Sequence, residues 1–152
     1  MIEDYKSYAR VGLLIALSAI GGLIKIPSPV GSIALDSAPG YFAALIALQE
    51  GAIVATIGHL FSAYSAGFPL GLMHALIAGF MGVCAIVFGF VSRKSLPIGI
   101  LIAIILNGIV GSFIVLPMGG LPFVLTLMPF LLLASAVNII IASFAFKSIS
   151  SI

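Results

Sequence analysis

Asp36, His59, His74, Asn107 and Asn138 stand as isolated polar side chains within or beside long apolar runs of this chain. Histidine with aspartate can hold a metal or move a proton, and both residues with asparagine can offer donors and acceptors to a small ligand. The spacing does not favour a metal: His59 and His74 read as belonging to different helices, and no H-E-x-x-H or cysteine pair supports them. Catalysis has no better footing. No nucleophile lies in a base-bearing motif, so no catalytic residue is assigned. No G-x-x-x-x-G-K-[ST] occurs, so the chain carries no cradle for ATP phosphates. Cys84, the single cysteine, lies in an apolar run and reads as a small buried hydrophobe. Recognition of a small molecule by hydrogen bonds is the chemistry left.

The elements that hold these residues follow from composition. Of 152 residues, 62% are hydrophobic and 7% charged, and the mean hydropathy is +1.38. No soluble core can hide so much apolar surface, so the backbone must satisfy itself inside lipid, as helices or a closed barrel. The apolar runs are continuous rather than alternating, which selects helices. The length allows one domain, 1–152, with no soluble catalytic module. A net charge of +2, spread along the chain, makes no nucleic-acid patch. Lys6 and Arg10 before an apolar stretch, with Ala16-Leu17-Ser18 beyond, resemble a cleavable signal, but the segment is read as a retained first helix.

Breaks fall at Lys25 to Ser37, at Gly67-Phe68-Pro69, at Ser92 to Pro97 and at Pro117 to Pro122. Pro39, Pro97 and Pro122 suit the first turn of a helix, where a missing donor costs nothing. The stretch Ala38 to Ala66 is one long helix or two short ones joined at Gln49-Glu50-Gly51. Charge decides between them. Six spans with the N-terminus inside place Lys6, Arg10, Arg93, Lys94 and Lys147 on the cytoplasmic side and only Lys25 outside. Five spans split the basic residues less cleanly and strand Glu50 at mid-membrane. The expectation is an all-α integral membrane protein with spans at roughly 8–25, 37–49, 51–66, 70–92, 96–117 and 122–146, both termini cytoplasmic. Helices 2 and 3 are short, about 20 Å against the ~30 Å hydrocarbon core.

This topology sets Asp36 at the outer mouth of helix 2, His59 near mid-depth and His74 about one turn inside helix 4. Asn107 falls midway along helix 5 and Asn138 in the inner half of helix 6. Most of the polar set thus lies in the outer half, as a pocket opening outward requires. Structural roles compete with each assignment: Asp36 or Ser37 can cap helix 2, the histidines can bond a neighbouring carbonyl, and Asn107 and Asn138 can join helices. Tyr41, Phe61, Tyr64, Phe68 and Met118 are candidates to enclose a flat apolar ring. On helix 1, Gly12, Ala16 and Ala19 share a face of small residues that lets another helix approach, inside the bundle or from a partner.

Together these features resemble the substrate-binding S component of an energy-coupling factor (ECF) transporter. The resemblance covers nearly the whole chain: six helices, both ends inside, a long outer loop after helix 1 and small residues on helix 1. It implies that the Gly12, Ala16 and Ala19 face docks on a transmembrane T component, although an A-x-x-x-A pair is the family's usual form. It implies that two ATPase subunits hydrolyse ATP, with no cofactor in this chain, in a prokaryotic plasma membrane. It also implies that the loop after helix 1, with Pro27, Pro29, Gly31 and Ser32, gates a vitamin-like ligand. The stretch Pro29 to Phe42, with Gly58-His59-Leu60-Phe61-Ser62-Ala63 and Gly67-Phe68-Pro69-Leu70, is similar to S components assigned to α-ribazole, a nucleoside precursor of the cobalamin lower ligand. On that resemblance Asp36 and His59 anchor the ligand, His74 and Asn107 support it, and Tyr41, Tyr64 and Phe68 wall it. The rivals are another vitamin or nucleobase in the same site, a membrane enzyme, and a ligand-free assembly subunit. An enzyme would need paired carboxylates or histidines at the cytoplasmic edge, where only Glu50 is available. A ligand-free subunit would have a bundle filled by its own side chains.

Overall fold

The computed structural model describes the backbone of residues 2–150 and the side chains of residues 5–150. The described chain is helical: α1 is Ile2–Gly21, α2 Ala38–Ile46, α3 Leu48–Ser65, α4 Met73–Ser92, α5 Leu96–Ile105 and α6 Leu116–Ser150. After α5 the winding continues through a π turn, Leu106–Val110, and a 3-10 turn, Gly111–Val115. Gly120, at φ 66° and ψ −167°, interrupts α6 near its start. Only glycine adopts that conformation cheaply, and the chain folds back there, bringing Ser135 against Asn107. Pro39 and Pro97 sit in the first turns of α2 and α5, where their missing donor is harmless.

The apolar surface has lipid as its natural solvent. Leu72, Leu76, Phe90, Leu101, Ile140 and Phe144 are all more than half exposed, a surface that water would not tolerate. α4 and the apolar stretch from Leu96 to Ser150 are long and apolar enough to cross a membrane. Glycines set the close crossings inside the bundle. A Cβ on Gly58 would strike Ser18, one on Gly22 would strike Ser62, and one on Gly51 would strike the Ala44 backbone. Ser18 of α1 and Gly22, just past its end, therefore pack inward. Gly12 and Ala16 are exposed, Ala19 is half-buried, and nothing lies within 4 Å of a Cβ built on Gly12.

Several boundaries differ from the expected spans. α1 stops at Gly21 rather than 25, because Lys25 pairs with Ala34 in an antiparallel bridge. The joint between α2 and α3 is the extended Ala47, so Glu50 falls in the first turn of α3. A carboxylate is favoured at that end of a helix. Here Glu50 also accepts from Arg10 Nε and from Ser7 Oγ, each at 2.7 Å, which ties α1 to α3.

The larger difference concerns depth. Asp36 does precede α2, as expected, but it is buried inside the bundle rather than standing at an open mouth. The segment between α1 and α2 forms a hairpin-like loop: Ile26 N–H donates to Ile33 O at 2.8 Å, and Leu35 N–H donates to Ile24 O at 3.1 Å. Its returning limb carries Ile33, Ala34 and Asp36 into the bundle, all buried. α2 therefore begins well inside and needs only nine residues, about 14 Å of helix. Loop and half-helix together occupy one helix position.

Candidate functional site

Beneath this loop lies a cavity of about 70 Å³, bounded by α3, α4, the π and 3-10 turns and α6. Val30, Ser32, Ile33 and Ala34 of the loop form its roof. Ile77, Phe80, Leu127 and Leu131 are among its apolar walls, and its polar lining includes Asp36, His59, His74, Asn107, Ser135 and Asn138.

Three of the polar residues form a chain. The Leu70 N–H donates to His74 Nε2 at 3.4 Å, His74 Nδ1 lies 3.2 Å from His59 Nε2, and His59 Nδ1 lies 3.3 Å from Asp36 Oδ2. One backbone donor fixes every proton in this series. Because His74 Nε2 accepts, its Nδ1 carries the hydrogen and donates to His59 Nε2. His59 then carries its hydrogen on Nδ1 and donates to Asp36. Both imidazoles are thus neutral Nδ1–H tautomers, aligned toward one carboxylate. Among the described residues no group of three or more His, Cys, Asp or Glu has a metal-holding arrangement.

Asn138 forms a second knot. Its Oδ1 accepts the Ser37 N–H at 3.1 Å and the Ala38 N–H at 2.8 Å, and its Nδ2 donates to Ala34 O at 3.2 Å and Ala134 O at 2.9 Å. Ser37 makes no side-chain cap; α2 is capped by α6 instead, which satisfies donors a helix start leaves orphaned. Asn138, expected in the inner half of helix 6, stands level with Asp36. Asn107, on the π turn, gives Nδ2 to Ser135 Oγ at 2.8 Å, while Ser135 gives its own proton to Leu131 O at 2.6 Å. Ser135 must therefore accept, which orients the Asn107 amide. Lys25 gives its ammonium to Ser62 O at 3.4 Å. Burial lowers its pKa, and the nearby Asp36 carboxylate acts against that shift.

Asp36, His59, His74 and Asn107 are thus brought to one cavity. The three candidate walls are not. Tyr41 is buried in the core, its ring edge-on to Phe88 at 5.4 Å. Tyr64 is 72% exposed, and Phe68 lies edge-on between it and His74. Phe61 and Met118 are exposed as well. Of the loop residues, Ser32 lines the cavity while Pro27, Pro29 and Gly31 are exposed, with Gly31 at φ +66° forming the hairpin tip. Nothing in the sequence singles out Ser135, whereas Asn138 does join helices as expected, tying α6 to the start of α2, and lines the cavity as well. The only signal for either was a polar residue in an apolar helix.

No curated protein and no solved structure matches the chain. The family of the ECF transporter, substrate-specific component, matches residues 6–151, nearly the full length. A substrate-binding role agrees with a polar-lined cavity under a loop, and the chain belongs to the family of ECF transporter substrate-specific components, as a membrane transport subunit and not an enzyme.

Proposed function

We propose that the protein captures α-ribazole outside a prokaryotic plasma membrane and hands it inward with a T component and two ATPase subunits. The observation that carries this reading is the cavity under the loop, whose polar lining joins Asp36, His59, His74 and Asn107. The chain acts as one domain with six spans and both termini cytoplasmic. The five-to-one split of its basic residues supports that orientation. It needs no cofactor, and ATP is hydrolysed by the partners.

The cavity of about 70 Å³ is far below the ~300–1,000 Å³ of ordinary ligand pockets. Ligand therefore enters by displacing the roof. Segment 27–36 moves out as a gate and reorders over the ligand, with the exposed Pro27, Pro29 and Gly31 turning and Ser32 returning to the cavity. Phe80, Ile77 and Leu127 then wall the ring, in place of Tyr41, Tyr64 and Phe68. The exposed Gly12 and Ala16, flanked by Ala19, form the docking seam for the T component; the inward side at the end of α1 is already taken by Ser18 and the following Gly22.

The test is isothermal calorimetry of α-ribazole on detergent-purified, ligand-stripped protein. Micromolar or tighter binding supports the substrate. No heat from protein that remains folded retires α-ribazole, and a screen of other vitamins and nucleobases then finds the ligand of the same cavity.

A further inference from the structure

Asp36 is 5% exposed and lines the cavity, yet its one hydrogen bond among the described residues goes from His59 Nδ1 to Oδ2. Its other oxygen, Oδ1, has no hydrogen-bond partner there. That oxygen is not sealed in the protein interior but open to the cavity, where a carboxylate oxygen without a donor favours a ligand that brings one. Most of the other polar groups of the cavity are spent, the Ser32 and Ser37 hydroxyls excepted. Both histidines use both ring nitrogens, and Asn138 uses all four of its hydrogen-bonding positions. Asn107 spends a donor on Ser135, while its Oδ1 accepts from no described residue. The unspent acceptors, Asp36 Oδ1 and Asn107 Oδ1, both ask for a ligand donor. Lys25, whose charge acts on the Asp36 carboxylate, gives its ammonium to the Ser62 carbonyl.

We infer that Asp36 is the specificity-determining residue of this site: it accepts an O–H or N–H from the ligand and excludes ligands that are anionic. This rests on the reading that the cavity is the substrate site. For α-ribazole the donors are the ribose hydroxyls, and the dimethylbenzimidazole lies against Phe80, Ile77 and Leu127. A phosphate in the sugar's place would set two anions side by side in a low-dielectric pocket.

The experiment measures binding of α-ribazole, of 5,6-dimethylbenzimidazole and of α-ribazole 5′-phosphate to wild-type protein and to Asp36→Asn, each checked for an unchanged melting temperature and a monodisperse profile. The wild type binds the nucleoside at least tenfold more tightly than its phosphate. Asp36→Asn weakens the nucleoside at least tenfold. Equal binding of nucleoside and phosphate by the wild type overturns the inference without reference to any variant. Unchanged nucleoside binding by a folded Asp36→Asn does so too. If the wild type binds none of the three, the α-ribazole reading falls separately, and melting shifts with amines, neutral nucleosides and carboxylates decide. A shift with amines or nucleosides that Asp36→Asn abolishes sustains donor recognition; a shift with carboxylates, or with nothing, overturns it.

Discussion

Replacing Asn138 by alanine removes four hydrogen bonds from one buried position. Two of them cap α2, and losing a cap costs about 1 kcal/mol. A third leaves the Ala34 carbonyl of the loop's inner limb unpaired, for about 1–2 kcal/mol more. The fourth goes to Ala134, one turn back on the same helix, and adds little. The sum is about 2–3 kcal/mol, and for a chain of this size each kilocalorie moves the melting temperature by about 2–4 °C. Asn138→Ala in detergent is therefore expected to melt about 4–12 °C lower. Because the bonds hold the loop as well as the helix, the loop should also open more often. Maleimide labelling of a Ser32→Cys reporter, buried in the closed loop, should speed up in the Asn138→Ala background at temperatures well below melting. A variant within 1 °C of wild type, with unchanged labelling, would refute the claim that α6 pins the loop to the start of α2.

Gly51→Ala should lower the melting temperature, since its Cβ would strike the Ala44 backbone and such overpacking costs about 1–3 kcal/mol. Gly79→Ala meets open space and should be neutral or stabilising by up to ~1 kcal/mol; the pair of melting curves checks both. Glu50→Gln should cost only about 0.5–1 kcal/mol, because Arg10 is 37% exposed and its ion pair is screened; the double exchange Arg10→Glu with Glu50→Arg should recover most of that loss in the same assay. Histidine-selective ¹⁵N NMR should find His59 and His74 as neutral Nδ1–H tautomers, and an Nε2–H signal from either ring would break the proposed chain to Asp36.

How far the chain could be read follows from its composition. In so apolar a sequence each polar residue stands out, so Asp36, His59, His74 and Asn107 were visible without any motif. Proline and glycine likewise announced the breaks, and the Pro117 to Pro122 gap contains the turn at Gly120. The depth of Asp36 was not legible. Nothing in Lys25 to Ser37 says that the loop re-enters the bundle, because that depends on Asn138, a hundred residues away in sequence, receiving the Ser37 and Ala38 donors. The π turn at Leu106–Val110 was hidden for a related reason, as Leu-Asn-Gly-Ile-Val holds no proline and reads as part of one apolar helical run. The aromatic walls failed to separate from the core because helices apolar on every face give no side a distinct pattern. Tyr41 and Phe80 look alike in sequence, yet one packs on Phe88 and the other lines the cavity.

A structure of the purified protein with α-ribazole in a lipid nanodisc tests the central claim most directly. The account predicts ligand density beneath the loop, with a hydroxyl in hydrogen-bond reach of Asp36, the ring against Phe80, and residues 27–36 displaced from the positions described above. Density elsewhere, or a loop and cavity unchanged at saturating ligand, would contradict it.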